Sequence, residues 1–331
     1  MATLSPAEEA ISGFMLSGLG NFGELLAAAV AENVARGGPL AAIGEAPVPV
    51  QVFKEVDLGP LPPMPTDRTF RTSGTTGQVR GARRVRHTAL YDLGSVLHAR
   101  RIIPNLPRRI VSLCPTEPDS SLGHMVHLLG TVDAAFTDGQ VHPDTWERLR
   151  AAARKGPVFL AATAFALDAL LALPGSALLS GESVVMVTGG FKGREVRLDA
   201  PGLYRALPKR LGSPRVVGEY GMSELSSQLW SQPVACGEVP GVFYAPPWLR
   251  VRAADPISGR LLDDEPGVLR FWDLANAGSV LAIETQDLGR VLPSRAGDRV
   301  ELLGRLEGAE LRGCSLRAEA AVRELDAASD R

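Results

Sequence analysis

The sequence has little that would staple it together and nothing long enough to carry it through a bilayer. It contains only three cysteines, Cys114, Cys236 and Cys314. An odd number of widely spaced thiols is no disulfide framework, and a reducing, cytoplasmic setting is expected. Charge of one sign is equally scarce. The 37 acidic and 35 basic side chains leave a formal net charge of −2, without the surplus of Lys and Arg that a nucleic-acid or anionic-membrane partner requires. Long apolar runs are missing too. The most apolar window, 159–179, is broken by Asp168 and Pro174 and reads as a buried helix and turn. Glu8 and Glu9 precede the first apolar run, unlike the basic start of a secretory signal. No internal repeat, heptad or low-complexity tract occurs.

What remains is an ordinary globular composition, 45% hydrophobic and 22% charged over 331 residues, which is chain enough for a full core. Residues 1–45 predict helices: Ser5-Pro6-Ala7-Glu8 has the form of an N-cap, a first-turn proline and early acids, and apolar spacing of three and four follows from Phe22. The proline-rich stretch 46–65 predicts an extended connector. Short apolar runs at 110–114, 158–162, 184–188 and 216–219 suit buried strands. The segments 145–154, 163–173 and 203–211 are helical between them. That alternation predicts an α/β domain with a mostly parallel sheet at 66–240. From Tyr244 short strands separated by Gly, Pro and Asp turns predict a β-rich subdomain (241–315), followed by a helical tail (316–331).

Four segments carry chemistry. The first is Thr72-Ser73-Gly74-Thr75-Thr76-Gly77. Its glycines let backbone N–H groups converge and its hydroxyls add donors, which suits a polyphosphate. Arg80, Arg83, Arg84 and Arg86 follow and could add positive charge. On composition alone, a phosphate cradle and a solvated polar loop explain this stretch equally well. It is not a Walker loop, because no Gly-Lys-Ser/Thr closes it. The second segment is Thr188-Gly189-Gly190-Phe191-Lys192, the third Gly218-Glu219-Tyr220-Gly221-Met222-Ser223-Glu224. The fourth combines Glu284-Thr285-Gln286-Asp287 with Gly304-Arg305.

In order and spacing these segments resemble the adenylate-forming superfamily of acyl-CoA synthetases, luciferases and peptide-synthetase adenylation domains. Its phosphate loop commonly reads Ser-Gly-Thr-Thr-Gly-x-Pro-Lys; here Val79 and Arg80 stand in place of Pro and Lys, and an arginine keeps the charge without the compact ammonium. The resemblance implies ATP and Mg²⁺ as cofactors. It implies Thr72–Gly77 on the phosphates, Gly189 and Gly190 behind the adenine, and Tyr220 stacked on it beside Gly221. Ser223 would bond the phosphate, Glu224 would hold the metal, Asp287 the ribose, and Arg305 the ribose or phosphate. Gln286 departs from the family's usual glycine.

Only 26 residues follow Arg305, where the superfamily usually continues into a further domain bearing a catalytic lysine. Together with Ser120–Met125 and Arg312-Gly313-Cys314, this narrows the resemblance to the acyl-protein synthetase (LuxE-type) family. That family implies activation of a fatty acid and transfer of the acyl group to an enzyme cysteine, matched here by Cys314. Arg312 and a following helix N-terminus would favour its thiolate. Lys192 is a candidate replacement for the missing lysine, and His124 a candidate for lining the acyl or phosphate site. His127 reads as packing or surface, Cys114 and Cys236 as core fillers. Expected acceptors are a partner reductase, an acyl carrier protein or coenzyme A. Two alternatives stay open: direct transfer to an external phosphopantetheine thiol, or a degenerate, non-catalytic nucleotide- or acyl-binding partner.

Overall fold

The computed structural model describes residues 3–72, 80–189, 197–292, 294 and 297–306. These form two compact units. The first takes in the chain up to Leu97, the segment Met222–Gln228 and the described residues from Tyr244 on; the second comprises His98–Gly221 and Leu229–Phe243.

The second unit is the α/β body. Strands Arg215–Tyr220, Val184–Thr188, Phe159–Thr163, Arg109–Leu113 and Thr131–Ala134 lie side by side in that order, all parallel. Leu229–Ser231 adds an antiparallel strand beside Arg215–Tyr220. Helices Ser121–Leu129, Thr145–Ala153, Ala164–Ala172 and Ala200–Leu211 connect the parallel strands. Each predicted strand recurs within about a residue, because apolar runs bounded by helical segments fit a sheet covered on both faces. The core includes Val111, Leu113, Leu160, Leu167, Leu170 and Val185. In such sheets the carboxyl ends of the strands are where ligands bind.

The first unit begins with helices Pro6–Ser17 and Phe22–Arg36. Ser5 is the expected N-cap, and with Glu8 it forms a reciprocal cap, the Ser5 side chain accepting from the Glu8 N–H and the Glu8 carboxylate from the Ser5 N–H. The connector departs from expectation. It holds a 3₁₀ turn at Val50–Lys54, and Val48–Pro49 pairs with Ile283–Glu284. A proline is tolerated in so short an edge strand, where its missing N–H can face away from the ladder. Arg68–Arg71 and Ala82–Val85 form an antiparallel pair flanking the hydroxyl-rich loop. Strands Leu249–Ala254, Gly267–Asp273, Ala282–Leu292 and Arg299–Arg305 make an antiparallel sheet. Its third strand carries Asp287 and bulges there, since Val268 pairs with Leu288 and Arg270 with Glu284. Among the described residues no helix is long and apolar enough to cross a membrane.

Candidate active site

Strand pairing positions the base of the hydroxyl-rich loop. Thr72 and Gly81 exchange bonds just beyond the paired strands: the Thr72 N–H donates to the Gly81 carbonyl at 2.9 Å, and the Gly81 N–H to Thr72 Oγ1 at 2.9 Å. Arg80 folds back across this base, its Nε donating to the Thr72 carbonyl at 2.6 Å. Ser73, Gly74, Thr75, Thr76 and Gly77 lie outside the described residues, as do Gly190, Lys192 and Cys314.

The arginines after the loop do not form one basic face. Alternation along Ala82–Val85 turns Arg83 inward, while Asp67 pairs with Arg84 at 2.5 Å and with Arg86 at 3.0 Å. Arg83 is buried and donates to Ser226 Oγ at 2.7 Å and Ser279 Oγ at 3.4 Å. Burial depresses its pKa to about 10 against the fields of Asp273, Tyr91 and Glu224.

Those neighbours define a charged cluster around Met222–Gln228. Ser223 Oγ donates to the Arg71 carbonyl at 3.0 Å, tying this segment to the loop's entry strand. Glu224 is 5% exposed. Burial pushes its carboxyl up to about 7, opposed by its own backbone N–H and by the charges of Arg83, Lys54 and Arg305. A Cβ added to Gly81 would stand 3.6 Å from Glu224 Oε1 and 3.2 Å from the Thr72 methyl, so the loop base and this carboxylate approach closely. Asp287 and Arg305 meet across adjacent strands, Oδ1 to Nε at 3.5 Å. Thr72, Ser223, Glu224, Asp287 and Arg305 thus all belong to the first unit, and Arg305 links its last pair to the field at Glu224.

Sequence reasoning missed what holds this cluster. Asp273, fully buried, accepts from the N–H groups of Ser226 (3.1 Å), Ser227 (2.8 Å) and Ala275 (3.0 Å), and from Ser227 Oγ at 2.7 Å. Asn276 accepts from the Ser226 N–H at 2.9 Å and donates to the Glu224 carbonyl at 3.0 Å. Trp248 Nε1 donates to Ser227 Oγ at 3.1 Å. The available signal was an acid and an amide closing a strand otherwise apolar on its buried face.

In the second unit, Gly189 follows strand Val184–Thr188 with φ +69°, a conformation that favours glycine. Tyr220, half-buried, ends Arg215–Tyr220, and Gly221 is exposed. The Thr188 hydroxyl donates to the Glu219 carboxylate in a short bond between these neighbouring strands. Burial raises Glu219 to about 7, opposed only by that bond. His124 is half-buried in the first turn of Ser121–Leu129, whose N-cap Ser120 accepts from the Gly123 N–H. His127 Nδ1 lies 2.8 Å from the Gly123 carbonyl. Burial lifts Cys114 to about 12 and Cys236 to about 11, so neither is poised as a thiolate.

Among the described residues no group of three or more His, Cys, Asp or Glu could hold a metal by itself. Glu224 is nonetheless suited to Mg²⁺, which typically takes one or two protein carboxylates and completes its shell with substrate phosphates and water.

No family model and no curated protein matches the sequence. Solved structures do match in fold. An ATP-bound RpMatB–BxBclM chimera aligns at TM-score 0.50 and 19% identity, over 72% of this chain and 47% of its own. VinN aligns at TM-score 0.51 and 16% identity, over 71% and 60%. The adenylation domain of a keto acid-selecting NRPS module, bound to keto acyl adenylate, aligns at TM-score 0.50 and 17% identity, over 74% and 54%. The chain therefore has the fold of an adenylation domain while spanning about half the length of such structures.

Proposed function

We propose that the protein activates a carboxylic acid with ATP, forming an acyl-adenylate and releasing pyrophosphate. One observation carries the reading most: segments distant in sequence converge in the first unit on the nearly buried Glu224, which stands in the field of Arg83, Lys54 and Arg305. Ser223 ties that segment to the loop's base, and Asp287 pairs with Arg305. The adenylation-domain fold supports the same reading.

In the proposed chemistry an acid oxygen attacks the α-phosphorus of ATP and the bond to the β-phosphate bridging oxygen breaks. Thr72 with residues 73–77 holds the phosphates, and Asp287 the ribose. The resemblance assigns the adenine to Tyr220, Gly221, Gly189 and Gly190, and the acid to a site near His124. Glu224 would hold Mg²⁺, which supplies charge neutralisation on the phosphates. Arg305, half-exposed, would offer a positive charge to the phosphoryl group as it transfers; Lys192 is a second candidate for that task. Catalysis here is mainly positioning and fixed electrostatics.

The resemblance extends the reading to a fatty acid and to transfer of the acyl group to the Cys314 thiolate, with AMP leaving. A reductase, carrier protein or coenzyme A would then receive it. Pyrophosphate release measured over a panel of fatty, aryl and amino acids tests the first half. Release that depends on one acid class supports the proposal, and none with any acid, from folded protein, overturns it. Cys314→Ala tests the second: loss of the protein-bound thioester supports the internal acceptor, and unchanged acyl transfer to an external thiol contradicts it.

A further inference from the structure

A separate cavity of about 280 Å³ lies within the first unit, between the start of helix Pro6–Ser17 and the strand Ala82–Val85. Its charged lining is Arg36, Arg83, Arg86, His87 and Glu8, with Ser226 among its buried residues. Arg36 also pairs with Glu32 at 3.2 Å and Arg86 with Asp67 at 3.0 Å, so Glu8 is the one carboxylate in the lining itself. That carboxylate is already engaged: Glu8 Oε2 accepts from the Ser5 N–H at 2.8 Å, and Oε1 lies 3.5 Å from His87 Nε2. Arg36 and Arg86, with side chains 34% and 31% exposed, stand toward solvent. Arg83, 4% exposed, stands at the interior.

Two nitrogens in this lining have no hydrogen-bond partner among the described residues, Arg83 Nη1 and His87 Nδ1. A buried guanidinium N–H rarely stays unmatched, because the hydration it gives up is then not replaced. The bonds that Arg83 does make go to the neutral hydroxyls of Ser226 and Ser279. Asp273 and Glu224 act on Arg83 through their charge, but its hydrogen bonds go to hydroxyls and its Nη1 is left for an oxyanion to accept from. The volume is at or below the lower end of small-molecule pockets, roughly 300–1,000 Å³, so it admits a small group and not a whole nucleotide.

We propose that this cavity binds a small oxyanion, a carboxylate or phosphate group, gripped by Arg83 and Arg36 and admitted past Arg86. The site is distinct from the proposed nucleotide site and goes beyond the adenylation reading. It touches that site at one point, since Arg83 also bonds Ser226, two residues from Glu224.

The test titrates the full chain with inorganic phosphate and, separately, with acetate, following calorimetric binding in the presence of saturating Mg-ATP. The expected result is binding of one or both anions that ATP does not displace. Arg36→Gln should weaken it about fivefold, the upper end for a partly exposed ion pair. Glu8→Gln keeps the cap's acceptor oxygen, removes the opposing charge and should tighten binding by a similar factor, a gain that structural damage does not produce. Binding of phosphate alone assigns a phosphate group, and of acetate alone a carboxylate. The proposal is overturned if neither anion binds, if ATP displaces both, or if Glu8→Gln fails to strengthen binding.

Discussion

Two glutamates five residues apart occupy opposite electrostatic settings. Glu224, in the first unit, and Glu219, in the second, are each 5% exposed, and burial pushes each to about 7. Glu224 stands in the field of Arg83, Lys54 and Arg305; the only group opposing the shift of Glu219 is the hydroxyl of Thr188. Burial and a raised pKa are therefore common to both and do not tell the proposed metal-holding carboxylate from a structural one. What separates the two is the surrounding charge: a cation-rich setting suits a group that must stay ionised and hold a metal, and a hydroxyl suits one that links two strand ends.

The framework behind Glu224 is where this contrast breaks most severely. Asp273→Ala removes an acceptor from three backbone N–H groups and a hydroxyl and takes away the anion that acts most strongly on Arg83. A loss of about 3–5 kcal/mol is expected, the usual cost of stranding a buried charge and its donors, read from the urea midpoint. Glu224→Gln should leave the fold intact and lower acid-dependent pyrophosphate release by about 100-fold or more, the scale for removing one fixed electrostatic group. Glu219→Gln should stay within a few-fold of the parent in the same assay; equal losses in the two variants would erase the distinction.

The second glutamate has its own signature. Its folded pKa lies near 7 against an ordinary 4.5, so the folded chain keeps a proton that the unfolded chain gives up between those values. Its contribution to stability is full below about pH 4.5 and is lost as pH rises toward and through 7. Glu219→Gln should therefore be more stable than the parent at pH 8, by roughly 3 kcal/mol at about 1.36 kcal/mol per pKa unit, with the gap closing by pH 4.5. Thermal melts across pH check this, and a gap independent of pH contradicts it. A smaller effect is expected from Ser223→Ala, which removes one bond to the Arg71 carbonyl and should cost about 1 kcal/mol in the same melts.

The parallel sheet and its helices were legible because apolar runs and caps are local patterns. Ser5 and Glu8 declare a cap within four residues, and 184–188 is a strand on composition alone. The cluster around Glu224 was only half legible. Ser223, Glu224, Asp287 and Arg305 sit in recognisable strings, but Arg83 was hidden among four arginines until strand alternation separated it from Arg84 and Arg86. Asp273 and Asn276 act on a segment about fifty residues earlier, and no local pattern reports such a contact. The connector misled for a related reason: pairing of Val48–Pro49 with Ile283–Glu284 depends on a strand more than two hundred residues away.

In the proposed reaction a carboxylic acid cleaves ATP between its α- and β-phosphates, and the adenylate itself is the direct witness. Mass spectrometry of the protein incubated with Mg-ATP and an acid panel, with no thiol acceptor added, should find an acyl-AMP for at least one acid and none for Glu224→Gln. Folded protein that yields no adenylate with any acid, or that converts ATP to ADP and phosphate instead, would contradict the account.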